Sequence, residues 1–497
     1  MLWWQNIPFF SIILCLLSAA VCSVLPPRGA RAWGRGVLGL CLAGGALLLA
    51  ILGQPGSASF TFMMGHFPAP WGNEIRAGAL EALLACLFPG VMLCALLSGA
   101  PALSSGRQAS REPQYLSLCM LLMAALLSQA YSNDLFTCYV FLEIMTLSAG
   151  ALIVFQNSSQ ALAAGMRYMV LNLVGSGLFL LGVVLLYYLT GHLLMENLFV
   201  SLQALAATGE YHRSLTIIIA LITVGLSIKS ALFPFHSWAP DAYSSGVPSS
   251  NAILSSLVSK GYILLLLKVY ARVFGWDLVL LSHVDHLLLV FAWAGMIFGS
   301  LAAIRTSRFT RMIAWSSVAQ IGYIFLGIGL GAGGGYQAAV YHLLVHSCSK
   351  ALLFLSGEEL RRAAGGSDTF ADLAGAARKH PVYGALWTVG AFSLVGLPFT
   401  GGLISKLLLG GEALRHSPPV ALITLAVLAL STLLNVLYFL RTMLILWSPG
   451  QEGSSKRGTL SPLGLGACGL LAAGILASFF LAQPLLEVIT LGLSQFS

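Results

Sequence analysis

The run Leu215-Thr-Ile-Ile-Ile-Ala-Leu-Ile-Thr-Val-Gly-Leu-Ser-Ile-Lys229-Ser-Ala-Leu-Phe-Pro234-Phe-His236 is apolar, yet it holds a lysine and ends on a proline. Roughly 20 such residues, at 1.5 Å rise each, cross the hydrocarbon core of a bilayer. Lysine normally keeps its ammonium in water. Proline frees a backbone carbonyl, tolerated in a membrane only where another helix or a water-filled cavity satisfies it. The run reads as a broken membrane helix carrying an internal charge.

Composition extends that reading to the whole chain. Of 497 residues, 58% are apolar and only 8% are Asp, Glu, Lys or Arg. A soluble domain carries roughly 25% charged residues, so a soluble enzyme, a nucleic-acid-binding protein and a disordered chain are excluded. We expect an all-α integral membrane protein of about 14 transmembrane helices. The spans are 6–25, 35–53, 77–99, 115–132, 134–155, 161–190, 213–233, 247–270, 282–304, 308–331, 336–357, 381–408, 418–447 and 460–482. Spans 161–190 and 381–408 are long enough to include bent or interfacial pieces. The first span lacks a positive n-region, and Val24-Leu25-Pro26-Pro27 makes a poor cleavage site, so it reads as retained.

Basic residues set the orientation. Arg28, Arg31, Arg35, Arg107, Arg111, Arg167, Arg305, Arg308, Arg311, Arg361, Arg362, Arg378, Lys379, Arg441, Lys456 and Arg457 fall on one side. Arg76, Arg213, Arg272 and Arg415 fall on the other. Both termini are therefore expected on the non-cytoplasmic side. The nine cysteines lie in or near spans without a Cys-x-x-Cys and read as small apolar filler, so no metal or disulfide framework is expected.

An internal repeat organises the spans. Tyr168-Met-Val-Leu-Asn172-Leu-Val-Gly-Ser176 has a counterpart in His342-Leu-Leu-Val-His346-Ser-Cys-Ser-Lys350. Spans 4–8 and 9–13 are five helices each, and an odd-numbered repeat inserts as an inverted pair. The fourth span of each unit is interrupted, one at Pro234 and one in Leu394-Val-Gly396-Leu-Pro398-Phe-Thr-Gly401-Gly402. The expected divisions are 1–110 (three N-terminal helices), 111–275 and 276–450 (the two repeats) and 451–497 (a C-terminal helix).

Charges within spans are costly and usually functional. Five of the seven lysines, Lys229, Lys260, Lys268, Lys350 and Lys406, lie inside apolar stretches, and Glu143 is the carboxylate nearest a span centre. His342, His346 and Lys350 recur at i, i+4 and i+8 and share one helix face. One acid among several bases suits a proton relay, in which a carboxylate moving toward or away from a lysine makes it hold or release a proton. Histidine suits intermediate positions. The plainer readings are a structural Glu143–Lys229 ion pair and a satisfied interhelical His342. Lys268, near a span end, reads as a snorkelling anchor. The i, i+4 histidines lack a third ligand in sequence, so no metal site is expected there.

These residues carry a resemblance. Lys229-Ser-Ala-Leu-Phe-Pro-Phe-His236-Ser-Trp-Ala-Pro-Asp241-Ala, Pro248 through Lys260-Gly-Tyr262, and Thr310-Arg-Met-Ile-Ala-Trp-Ser316-Ser-Val-Ala-Gln320 carry part of it. Tyr341-His342 through Lys350 and Gly396-Leu-Pro398 through Lys406 carry the rest. The chain resembles the antiporter-like membrane subunits shared by respiratory complex I, membrane-bound hydrogenases and Mrp-type cation/proton antiporters. The resemblance implies that Glu143 and Lys229 are an acid–lysine pair. It makes Lys260, His346 and Lys350 a central relay and Lys406 an exit-side residue, with His236, Asp241 and His342 in support. Lysine at 406, and no long amphipathic helix after the last span, favour the hydrogenase-like, Mrp D-like and complex I N-like branches.

The expected function is proton translocation as a subunit of a larger membrane complex, without a cofactor or redox centre of its own. The alternative is a subunit of a Mrp-type sodium/proton antiporter; an assembly scaffold and a stand-alone solute transporter rank behind both. Expected partners are other membrane subunits, protons or sodium, and lipids, with no nucleic acid. The expected location is the plasma (inner) membrane of a prokaryote.

Overall fold

The computed structural model describes residues 2–64, 67, 72–103, 106–331, 333–449 and 461–496. The chain starts with α1 (Ile7–Val24) and α2 (Pro27–Leu52), which meet at an extended corner at Leu25 and Pro26. Pro27 opens α2 in the helical position that needs no N–H. An antiparallel hairpin follows, β1 (Phe60–Met63) against β2 (Glu74–Ala77), which hydropathy did not reveal.

Next come α3 (Ala79–Leu103), α4 (Glu112–Tyr131), α5 (Leu135–Val154), α6 (Ser159–Thr190), the short α7 (Met195–Thr208) and α8 (His212–Ser230). Asp134 and Ser158 cap α5 and α6, accepting from Thr137 N at 2.7 Å and Ala161 N at 3.1 Å. Then α9 (Ala239–Ser245) leads into one long helix made of α10 (Pro248–Ile253), a π turn (Leu254–Val258), α11 (Ser259–Val269) and a second π turn (Tyr270–Phe274). After α12 (Trp276–Leu281) come α13 (Val284–Arg305), α14 (Phe309–Leu330) and α15 (Gly334–Ala363). The chain continues with α16 (Ala376–Lys379), α17 (Pro381–Val395), α18 (Gly401–Ala413), α19 (Pro418–Trp447), α20 (Pro462–Phe480) and α21 (Ala482–Ser494).

Thirteen of the described helices are long and apolar enough to cross a membrane, so this is a multi-pass membrane protein. Fourteen were expected. The difference is the span 381–408, which is not one helix but two shorter ones, α17 and α18. Span 161–190, by contrast, is the single continuous helix α6. Lys456 and Arg457, which contribute to the orientation, lie outside the described residues.

Burial ranks the helices. The Pro248–Phe274 helix is wholly buried, and α14 and α15 are 94% buried, against 28% for α19. The central helices are therefore those carrying Lys260, Lys268, His342, His346 and Lys350, and α19 presents most of its surface outward. Close helix contact supports this centre: a Cβ on Gly225 of α8 would lie 2.7 Å from the Gly175 carbonyl of α6.

Both interruptions are present. α8 stops at Ser230, Ala231 turns at φ 63°, and the Trp238 indole donates to the Ile228 carbonyl at 3.0 Å. α17 stops at Val395, Gly396 turns at φ 87°, and α18 starts at Gly401. A Cβ on Gly402 would sit 1.7 Å from the Ser393 carbonyl, so only glycine fits that crossing.

Two residues are placed differently from expectation. Lys268 is no interfacial anchor: it is buried and donates to the carbonyls of Gln129 (3.0 Å), Ala130 (3.1 Å) and Ser132 at the end of α4. Those carbonyls have no further helical turn to accept from, and the ammonium satisfies them together. Lys268→Met is expected to lower stability by ~1.5–3 kcal/mol, the worth of hydrogen bonds to a charged group. Thermal unfolding of the purified protein checks it, and an unchanged Tm would refute this role. Arg272, expected as a surface charge, is buried and forms an ion pair with buried Glu81 of α3. All nine cysteines are free.

Candidate functional site

The site is a row of buried polar groups through the central helices. At one end, Lys229 of α8 is fully buried, and its Nζ donates to Thr146 Oγ1 of α5 at 2.7 Å. Thr146 also bonds the Tyr262 hydroxyl at 3.0 Å, which lies 3.5 Å from the Tyr168 hydroxyl. The Lys229 ammonium sits 5.2 Å from the centre of the Tyr262 ring, an additional cation–π contact. Glu143 is one helical turn from Thr146. Its Oε1 is buried without a hydrogen bond, and the carboxylate interacts with Lys229 through space. The expected acid–lysine pair is thus brought together, but Thr146, not Glu143, holds the ammonium.

The middle of the row is built on backbone irregularity. The π turn at Leu254–Val258 leaves the Ser255 carbonyl turned toward Lys260, whose Nζ donates to it and to Ser259 Oγ at 3.1 Å. Ser255 Oγ bonds Ser317 Oγ at 2.9 Å, and Ser317 donates to the Ile313 carbonyl at 3.2 Å. That same carbonyl accepts from Lys350 Nζ at 2.9 Å, and Lys350 also donates to Ser316 Oγ. A continuous set of hydrogen-bonded groups therefore links Lys260 to Lys350. His346 lies beside both, within electrostatic range of Lys260, Lys350 and His342. Both of its ring nitrogens are buried without a protein partner, the condition in which a buried imidazole takes its hydrogen bonds from water.

At the other end, His342 stacks on His346 (centroids 6.1 Å) and on Tyr323 (5.4 Å), and its Nδ1 bonds Ser405 Oγ at 2.9 Å. Lys406 follows one residue later on α18. Its Nζ donates to the Val395 carbonyl at 2.7 Å and to Thr432 Oγ1 at 3.1 Å, and lies 5.1 Å from the Tyr323 ring centre. The Val395 carbonyl is free to accept because Pro398 and Gly396 end the helix there.

Two supporting candidates lie apart from this row. Asp241 of α9 pairs with Arg167 (2.5 Å) and Arg311 (2.9 Å) and ties α6 to α14. His236 stacks on Phe233 at 5.3 Å beside the Pro234 break, with Nδ1 buried and unpartnered.

Sequence reasoning missed the neutral members: Thr146, Tyr262, Ser255, Ser316, Ser317, Tyr323, Ser405 and Thr432. Several stand at helical spacing from the charges, Thr146 at i+3 from Glu143 for example. Their hydroxyls both donate and accept, so each can receive a proton on one side and release one on the other. The four ammonium groups of the row donate to hydroxyls and carbonyls only. A salt-bridged lysine is held in its charged state; one held by neutral acceptors can occupy either state.

Known proteins share this arrangement of helices. Residues 132–435 match the family model described as NADH:quinone oxidoreductase/Mrp antiporter, TM. The chain is 35% identical over 411 residues to NADH-quinone oxidoreductase subunit N of Desulforudis audaxviator, covering 81% of this chain and 78% of that protein. It is 28% identical over 365 residues to the D-type Na(+)/H(+) antiporter protein of Alkalihalophilus pseudofirmus, covering 73% and 72%. A chain of the membrane-bound sulfane sulfur reductase, an archaeal respiratory membrane complex, has the same fold, with TM-score 0.86, 26% identity and coverage of 99% and 98%.

Proposed function

The chain belongs to the NADH:quinone oxidoreductase/Mrp antiporter transmembrane family, and from that premise we propose that it is a proton-translocating subunit of a multisubunit membrane complex. The observation that carries the proposal is the buried row itself: four lysines and two histidines, with neutral acceptors at each ammonium. Protons pass between Lys229, Lys260, His346, Lys350 and Lys406, with His342 between the centre and Lys406. Glu143 biases Lys229 from one end.

The relatives include both redox-complex and sodium/proton antiporter subunits. The chemistry of this row favours protons over sodium. Sodium requires several oxygen ligands and loses stability beside uncompensated positive charge, whereas a proton is carried by the basic groups themselves. The complex sits in a prokaryotic plasma membrane with both termini on the non-cytoplasmic side. Residues 111–275 and 276–450 act as two inverted halves after the N-terminal segment 1–110, with 451–497 closing the bundle.

The test is reconstitution of the complex with His346→Leu, which removes the central imidazole while conserving bulk. Proton uptake into proteoliposomes is expected to fall by about 100-fold or more, the lower range of a positioned proton-transfer group, with subunit composition unchanged. Uptake equal to the parent would sink the relay through His346. Sodium-driven exchange surviving in the same vesicles would favour the antiporter reading.

A further inference from the structure

A second group of titratable side chains lies at the far end of α13 from Arg305, outside the row of lysines. His283, in the left-handed region at φ 57°, forms the N-cap of α13, and Asp285 and His286 occupy its first turn. One donor atom from each of the three lies within 4.8 Å of the other two. The imidazoles of His283 and His286 are nearly parallel, 11° apart with centroids 5.5 Å apart, and His286 is 64% exposed. Asp285 is only 14% exposed; its Oδ2 lies 4.0 Å from His286 Nε2, and its Oδ1 is buried with no hydrogen-bond partner. A buried carboxylate oxygen without a donor is uncommon and requires a partner from outside the chain.

We propose that His283, Asp285 and His286 form a site for a divalent transition cation of the zinc class. Two imidazoles and a carboxylate are a zinc donor set, and three protein ligands leave a fourth position for water. Imidazole favours such ions over calcium or magnesium, which take oxygen ligands. The donors stand wider apart than bound ligands, and the exposed histidine rings have the rotational freedom to close on the ion. In the sequence, the spacing of His283-Val-Asp285-His286 does not by itself distinguish a site from an exposed turn.

The position gives the site a consequence. Asp285 interacts through space with Tyr270 and Tyr336. The Tyr270 hydroxyl bonds Thr223 Oγ1 at 2.6 Å, on the same helix as Lys229. An ion bound at Asp285 therefore sits at the surface end of a polar line toward Lys229 and slows proton uptake. This consequence rests on the proposed relay; the metal site does not.

Zinc is titrated into the purified complex against a competing chelator dye. One zinc per chain is expected to bind, with affinity falling at least about tenfold in His283→Ala/His286→Ala. Asp285→Asn, which keeps the shape of the side chain, provides a second variant if the double substitution impairs folding. No zinc binding at micromolar concentration, or equal affinity in parent and variants, overturns the site. Proton uptake slowed by zinc in the parent and not in the double variant supports the polar line. Zinc binding with unaltered uptake overturns that line and leaves the metal site standing.

Discussion

Lys229→Met is expected to reduce proton uptake by reconstituted complex at least about 100-fold, with the complex still assembled. Methionine matches the length and apolar stem of lysine, so packing against Tyr262 and Thr146 survives while the proton carrier is lost. Glu143→Gln removes only the charge of the carboxylate, whose Oε1 has no hydrogen bond to lose, and is expected to reach a comparable loss. Thr146→Val separates carrier from support: it keeps Lys229 and Glu143 but removes the 2.7 Å contact that holds the ammonium. An intermediate loss of about tenfold is expected there, the loss of roughly one hydrogen bond to a charged group. If Lys229→Met pumps normally, the row is structural. If Thr146→Val alone is neutral, the direct Glu143–Lys229 contact is the operating one. The measurement is initial proton uptake in vesicles, normalised to assembled complex.

The second large effect concerns stability. Arg272→Ala is expected to destabilise the protein by about 3–5 kcal/mol, because it strands the Glu81 carboxylate without its cation. Arg272 is 2% exposed and Glu81 is fully buried, so water cannot replace the partner. Within the protein, Glu81 retains only a 3.0 Å bond from Gly78 N. The guanidinium also stacks 4.3 Å over Phe496, near Gln495, whose backbone carbonyl accepts from Arg76 at 2.6 Å. Losing Arg272 therefore loosens the chain end from α3. The pair itself is not expected to be strongly stabilising, since Arg272 Nε and Nη1 are buried without partners. Arg272→Met with Glu81→Leu is accordingly expected to recover most of the loss, as paired apolar replacements of buried ion pairs often do. A double variant no more stable than Arg272→Ala would show that the pair, not the stranded charge, matters. Thermal unfolding in detergent or nanodiscs reads both.

How much of the site is legible in the sequence differs by residue. Lys260, His346 and Lys406 stand out because a charge in an apolar run is visible without knowing its neighbours. Lys268 stands out for the same reason, but its role is not visible, since its acceptors Gln129 and Ala130 are more than 130 residues away in the chain. Arg272 and Glu81, 191 residues apart, each look like span-end charges when read alone. The hairpin at 60–77 escapes notice because two four-residue strands carry too little alternation to separate from a loop.

Hydropathy, the placement of basic residues and the two proline-marked breaks are properties of short stretches. Those stretches therefore sufficed to establish a membrane bundle with interrupted helices and an internal row of bases. Partnership is not a local property. Which oxygen each ammonium meets depends on π turns that rotate a carbonyl, as at Ser255, and on helix ends that free one, as at Val395. It depends also on hydroxyls from distant helices, as at Thr146. Only the packed structure decided that Thr146 stands between the acid and the lysine, that Lys268 closes a helix end, and that His283, Asp285 and His286 converge. In each case a dehydrated polar group must find a partner inside the fold, and chain folding alone brings those partners within reach.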